Sequence, residues 1–213
     1  MIKEVIFDMD GVIFDTEHKR FADLRRLLKR HGLVLKDTSF REMLGKKSEL
    51  FVREVFPECK KEFCNEIASE RREMQHHNLK GGRLIKGMPE LLRHVKLDGY
   101  KTAVVTGSRK AIVDRLLEMY LLRRYFDVLI TGDDFRSSKP NPECYRIALK
   151  KLGVKAKEAI VIEDAAHGVA AAKKLGCRVF GVRTYLSDKE LSRADKVFGT
   201  PKEIMLYFKA KAI

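Results

Sequence analysis

Five short runs of uninterrupted apolar residues recur along the chain: Val5-Ile6-Phe7, Ala103-Val104-Val105, Val128-Leu129-Ile130, Ala159-Ile160-Val161-Ile162 and Val179-Phe180-Gly181-Val182. A strand with one wet face alternates apolar and polar residues, so runs without alternation are strands covered on both sides. Helical patterns fall between them, over Met88 to Leu97, Ala111 to Met119, Pro142 to Leu152 and Gly168 to Leu175. Strand alternating with helix specifies a Rossmann-like α/β fold, a parallel sheet with helices on both faces.

The alternation breaks once. Residues 17–80 carry helical periodicity without convincing strand signals, which predicts an inserted helical domain. The remaining residues, 1–16 and 81–213, form the Rossmann-like core domain of this scheme. Gly81-Gly82 and Gly87 supply flexible backbone where the chain returns. A chain of 213 residues can bury one substantial core with a small appended unit.

No apolar run approaches the length that spans a bilayer, so no membrane partner is expected. The N-terminal residues lead directly into the first strand, which argues against a cleaved signal and for a cytoplasmic protein. Cys59, Cys64, Cys144 and Cys177 show no metal-type spacing and are too sparse for a disulfide framework. The formal charge of +14 suits nucleic acid, anionic metabolites or solubility alike. Much of it lies on helix-like faces, where Lys19, Arg20, Arg25, Arg26, Lys29 and Arg30 flank Phe21, Leu24, Leu27 and Leu28, the pattern of a solvated face.

Chemistry concentrates where the strand runs end. Asp8 and Asp10 follow the first, Thr106-Gly107-Ser108 the second, Lys139-Pro140 lies in the loop after the third, and Glu163-Asp164 follows the fourth. In open parallel sheets ligands bind outside these carboxyl ends. Singly, Thr106 reads as a helix cap, Lys139 as a surface lysine and Glu163-Asp164 as an acidic helix start. Paired carboxylates leaving a buried strand repel each other, which calls for a cation, a proton or both.

Together these positions resemble the four motifs of the haloacid dehalogenase superfamily, here DMDGV, VVTGS, Lys139 within SSKPNP, and VIEDAAHG. The likeness spans nearly the whole chain and is closest to the β-phosphoglucomutase and phosphoglycolate phosphatase-like branch with a helical cap. It implies that Asp8 is a nucleophile forming an aspartyl-phosphate and Asp10 the general acid and base. It implies Mg²⁺ held by Asp8, Asp10 through its carbonyl, Asp164 and Glu163, with Thr106, Gly107 and Lys139 on the phosphoryl oxygens. The superfamily's dehalogenases lack the second acid of the first motif, so Asp10 favours phosphoryl chemistry.

Within that resemblance, Lys47 of the turn Leu44-Gly45-Lys46-Lys47-Ser48 is the candidate leaving-group contact, and Ser108 and Arg109 are candidates for a second phosphate. Water as acceptor makes a phosphatase of small phosphorylated metabolites such as sugar phosphates; a sugar phosphate as acceptor makes a β-phosphoglucomutase-type phosphotransferase. Two departures favour the phosphatase: Lys46-Lys47-Ser48 stands where the mutase branch usually has an arginine, and Arg20 where it has a substrate-contacting histidine, His18 being displaced by two positions. A nucleic-acid-binding module fits less well, since the chain has no Trp and its Phe residues fall at core-like positions. A capped monomer needs no protein partner to complete such a site.

Overall fold

The computed structural model describes residues 2–44, 46, 48–77 and 82–210. It divides into two compact units, one comprising Met1–Asp15 and Arg83–Ile213, the other Thr16–Gly82.

The first unit is built on strands β1 (Glu4–Phe7), β4 (Lys101–Val105), β5 (Val128–Ile130), β6 (Ala159–Glu163), β7 (Arg178–Val182) and β8 (Lys196–Phe198). These form one sheet in the order β5-β4-β1-β6-β7-β8, every pairing parallel. All residues of β1 and β6 are buried: the apolar runs Val5-Ile6-Phe7 and Ala159-Ile160-Val161-Ile162, and with them Glu4 and Glu163. β2 (Phe14–Asp15) and β3 (Arg83–Leu84) pair antiparallel where the chain leaves and re-enters this unit.

The second unit contains α1 (Glu17–Arg30), α2 (Ser39–Met43), α3 (Ser48–Val55) and α4 (Lys61–His77). Phe21, Leu24 and Leu28 line one stripe of α1 at three- and four-residue spacing and pack with Leu35, Met43, Phe51, Val52, Cys64 and Ile67. Burying each such aliphatic side chain contributes roughly 1.5–3 kcal/mol. The outward Arg25, Arg26, Lys29 and Arg30 are exposed, and Arg25 and Arg30 pair with Asp37 and Glu70. Lys19 and Arg20 depart from the solvated-face expectation: they are half-buried, paired with Asp23 and Glu17.

Helices α5 (Met88–Leu97), α6 (Lys110–Met119), α7 (Glu143–Leu152), α8 (Ala166–Lys174) and α9 (Pro201–Ala210) complete the first unit. Ile6, Ala103, Val105, Ile130 and Val161 of the sheet pack with Cys144, Tyr145, Ala148 and Leu149 of α7 in one continuous core. The strand expectations extended through Val182, and the structure adds β8 and α9 beyond them; β8 is a three-residue edge strand with no fully buried residue. Among the described residues no helix is long and apolar enough to cross a membrane.

β1 sits at the topological switch point, with β4 on one side and β6 on the other. Connections diverge there, and in sheets of this kind ligands bind outside the carboxyl ends of the strands on either side, here β1, β4 and β6.

Candidate active site

Asp8 is the first residue past β1, and its backbone N–H still donates to the Ile162 carbonyl at 3.0 Å, so its position is held by the sheet. The residue is 6 % exposed. Lys139, from the loop between β5 and α7, donates to Oδ1 of Asp8 at 2.5 Å and to Oε1 of Glu163 at 2.7 Å. Glu163, the last residue of β6, receives three further donors: the Tyr145 hydroxyl on Oε1 at 2.7 Å, and the amides of Asp164 and Ala165 on Oε2 at 3.0 and 3.1 Å.

Asp10 belongs to a second cluster one turn onward. Thr106, immediately after β4, donates its hydroxyl to Oδ2 of Asp10 at 2.8 Å, and the Ser108 hydroxyl donates to the same oxygen at 3.1 Å. The Ser108 amide donates to the Thr106 oxygen at 3.0 Å, which directs the Thr106 proton towards Asp10. Thr106 is itself fully buried and tied to β5 through its amide and the Ile130 carbonyl.

The turn between the acids depends on Gly11, whose φ of +84° lies in the left-handed region. The Thr184 hydroxyl donates to its carbonyl at 2.5 Å, and the Tyr185 hydroxyl donates to the Asp15 carboxylate. Close approach matters equally at Gly168 in α8, where a Cβ would lie 1.7 Å from Oε1 of Glu163.

Charge at this site is unevenly balanced. Burial disfavours a charged Lys139, but the carboxylates of Asp8 and Glu163 outweigh it and raise the ammonium well above its ordinary range. Burial acts against ionised Glu163 too, yet the Lys139 charge and hydrogen bond hold it below the usual carboxylate value. Asp8 goes the other way: burial drives it well up, and Glu163 and Asp10 add to that against the pull of Lys139. One lysine therefore does not neutralise the cluster.

That imbalance tests whether a metal fits. Asp8, Glu163 and Asp164 each offer a carboxylate oxygen, all within 4.8 Å of one another and all on buried residues. An all-oxygen anionic set with excess negative charge suits a hard divalent cation.

Of the residues singled out from sequence, the structure brings Asp8, Lys139, Glu163 and Asp164 into one cluster and Asp10, Thr106 and Ser108 into another. Gly107 and Arg109 are exposed in the loop before α6. Lys47 lies outside the described residues. In the helical unit Arg20 contacts Glu17 and the Lys46 carbonyl, while His18 stacks on Phe40 with ring centroids 4.6 Å apart. Tyr145 and Thr184 escaped the sequence reading. Tyr145 scans as an apolar helix position, and Thr184 reaches Gly11 across 173 positions of chain.

Fold and site together define a Rossmann-like α/β enzyme with its acidic centre at the sheet's switch point. Residues 5–182 match the family model for haloacid dehalogenase-like hydrolases, and the chain belongs to that family. It is 32% identical over 212 residues to the phosphorylated carbohydrates phosphatase of Thermotoga maritima, covering 96% of this chain and 97% of that protein. It is 31% identical over 199 residues to the validoxylamine A 7′-phosphate phosphatase of Streptomyces hygroscopicus subsp. limoneus, covering 92% of each. A Thermotoga maritima structure provisionally assigned as a β-phosphoglucomutase superposes with a TM-score of 0.76 at 29% identity, covering 98% of this chain and 99% of that one.

Proposed function

We propose that the protein is a Mg²⁺-dependent phosphatase of small phosphorylated metabolites, sugar phosphates in particular, working through an aspartyl-phosphate on Asp8. The observation that carries this reading is the division of the two acids: Asp8 lies against Lys139, and Asp10 is held separately by two hydroxyls. A nucleophile and a proton carrier need such different surroundings. The Thermotoga maritima relative named for phosphorylated carbohydrates supports the substrate class.

In the first half-reaction an Asp8 oxygen bonds to phosphorus as the bond to the leaving oxygen breaks, and Asp10 delivers its proton to that oxygen. In the second, Asp10 takes a proton from water as the water oxygen attacks phosphorus and Asp8 is released. Lys139, Thr106 and the Gly107 amide take up charge on the phosphoryl oxygens. Asp8, Asp164, Glu163 and the Asp10 carbonyl would hold Mg²⁺, which when bound offsets carboxylate and phosphoryl charge. Residues 17–80 serve as the cap that selects the substrate, with Lys47 on the leaving group. The chain acts as a monomer, and its four free cysteines suit the reducing cytoplasm.

A mutase is the second reading, favoured by the β-phosphoglucomutase-like neighbour. A built second-phosphate site would argue for it, but the Ser108 hydroxyl is directed to Asp10 and the Lys110 ammonium to Asp114. The test is a panel of phosphorylated metabolites with and without Mg²⁺, with Asp8→Asn as control. Phosphate release from sugar phosphates, lost with chelator and in the variant, is expected. Activity unchanged in Asp8→Asn removes the assignment, and glucose 6-phosphate formed from β-glucose 1-phosphate and a bisphosphate primer without phosphate release selects the mutase.

A further inference from the structure

Tyr145 is fully buried in the first turn of α7, and it is bound on two sides by the acidic cluster. Its hydroxyl donates to Oε1 of Glu163 at 2.7 Å, and the Lys139 ammonium lies 4.8 Å from the centre of its ring. Packing alone would be met by phenylalanine, since Tyr145 belongs to the apolar core it shares with Ala148, Leu149 and the sheet residues Ile6 and Val161. A buried hydroxyl without a partner is costly, so its place here follows from the Glu163 bond.

The consequence reaches Asp8 through two bonds. Glu163 receives four donors, two on each oxygen, and turning the carboxylate about its terminal torsion would break pairs of them at once. The fixed Oε1 then fixes one proton of Lys139, and the ring face limits where the ammonium can move. What remains is the direction from Lys139 to Asp8.

We propose that Tyr145 is a positioning residue for the reaction: through its hydroxyl on Glu163 and its ring beneath Lys139 it aims the lysine at the nucleophile Asp8. This rests on the reading of Asp8 as nucleophile. Tyr145 itself touches no reacting atom in this scheme. Its effect is on the rate of phosphoryl transfer, and substrate affinity is set elsewhere.

Two variants separate its two contacts. Tyr145→Phe keeps the ring and deletes the hydroxyl, whereas Tyr145→Leu deletes both. With a sugar phosphate at saturating Mg²⁺, Tyr145→Phe should lower kcat about tenfold at unchanged KM, with Tm lowered by about 3–12 °C. Tyr145→Leu should lose about 100-fold or more. In a Glu163→Gln background the further change from Phe should fall below about twofold, because residues acting through one another are not additive.

A kcat for Tyr145→Phe within about twofold of the parent overturns the inference, as does a rise in KM matching the fall in rate, or full additivity with Glu163→Gln. If Tyr145→Leu fails to fold, the Phe variant and its cycle still decide. Asp8→Asn, assayed alongside, separates the two levels: its inactivity with a parent-like Tyr145→Phe removes only the positioning role, while retained activity removes the nucleophile assignment and the positioning role with it.

Discussion

The carboxylate of Asp164 fills the space that a side chain on Gly11 would need: a Cβ there would lie 1.9 Å from Oδ2. The turn carrying Asp10 and the loop after β6 are thus packed backbone against carboxylate, at a position whose φ of +84° already disfavours any other residue.

Gly11→Ala should therefore act twice. Strain in the left-handed backbone and the clash together should cost about 1–3 kcal/mol of stability, read by denaturant melts. Displacing Asp164 should lower phosphatase turnover about 100-fold or more, read by initial rates. A stable, fully active Gly11→Ala would show that Asp164 need not sit where it does.

Ser108 distinguishes two roles for one hydroxyl. If it orients Asp10, Ser108→Ala should lower kcat by about fivefold to tenfold and leave KM unchanged, because the Ser108 donor to Oδ2 is lost and Thr106 remains. If it instead binds a second phosphate, the change appears in KM. Steady-state kinetics on one sugar phosphate make the separation.

Lys139→Met should leave Asp8, Glu163 and Asp164 facing one another without the cation. Removing one partner of a buried ion pair typically costs about 3–5 kcal/mol. The remaining acids then have folded-state values raised above their unfolded ones, so the loss should be small at acid pH and grow as pH rises through the carboxylate range. Added Mg²⁺ should restore part of the lost Tm, because a ligand that binds only the folded state stabilises it. Melts at two pH values, with and without the ion, test both signs.

Much of this site was legible because buried parallel strands leave little freedom to their sequence. In β1, β4 and β6 an apolar run leads to the carboxyl end, so the polar residues that follow each run, Asp8, Thr106 and Glu163-Asp164, stand out and fall at the sheet's carboxyl edge. Short edge elements carry no such signal: β2 and β3 have two residues each and β8 has three. Tyr145 was hidden for a different reason. An aromatic residue on the inner stripe of α7 satisfies the core pattern, and its hydroxyl bond to Glu163 becomes visible only when α7 packs beside the end of β6. Ser108 shows the same limit, since its partner Asp10 is 98 positions away and its residue type alone suits phosphate equally well.

Glu4, at the opposite end of β1 from Asp8, is a charge in a place where strand pattern predicts none. It is fully buried, and neither of its carboxylate oxygens has a hydrogen-bond partner among the described residues. Lys101, its register partner on β4, directs its ammonium to the Leu152 carbonyl at 2.9 Å instead. Burial lifts Glu4 from 4.5 to about 8, with Lys101 opposing and Glu158 adding. The folded state therefore holds a proton that the unfolded chain releases near its ordinary value. Where the folded state binds more protons, stability falls as pH rises, so the contribution of Glu4 should be intact below about pH 4.5 and lost progressively up to about pH 8. Glu4→Gln cannot ionise. It should match the parent near pH 4.5 and become more stable than the parent by a few kcal/mol, on the order of the linkage expected for so large a shift, at pH 8 and above. Phosphatase activity should be unaffected at pH 7, because Glu4 lies at the amino end of the strand whose carboxyl end carries the acids. Equal pH dependence of parent and variant would mean that Glu4 is solvated or paired in solution.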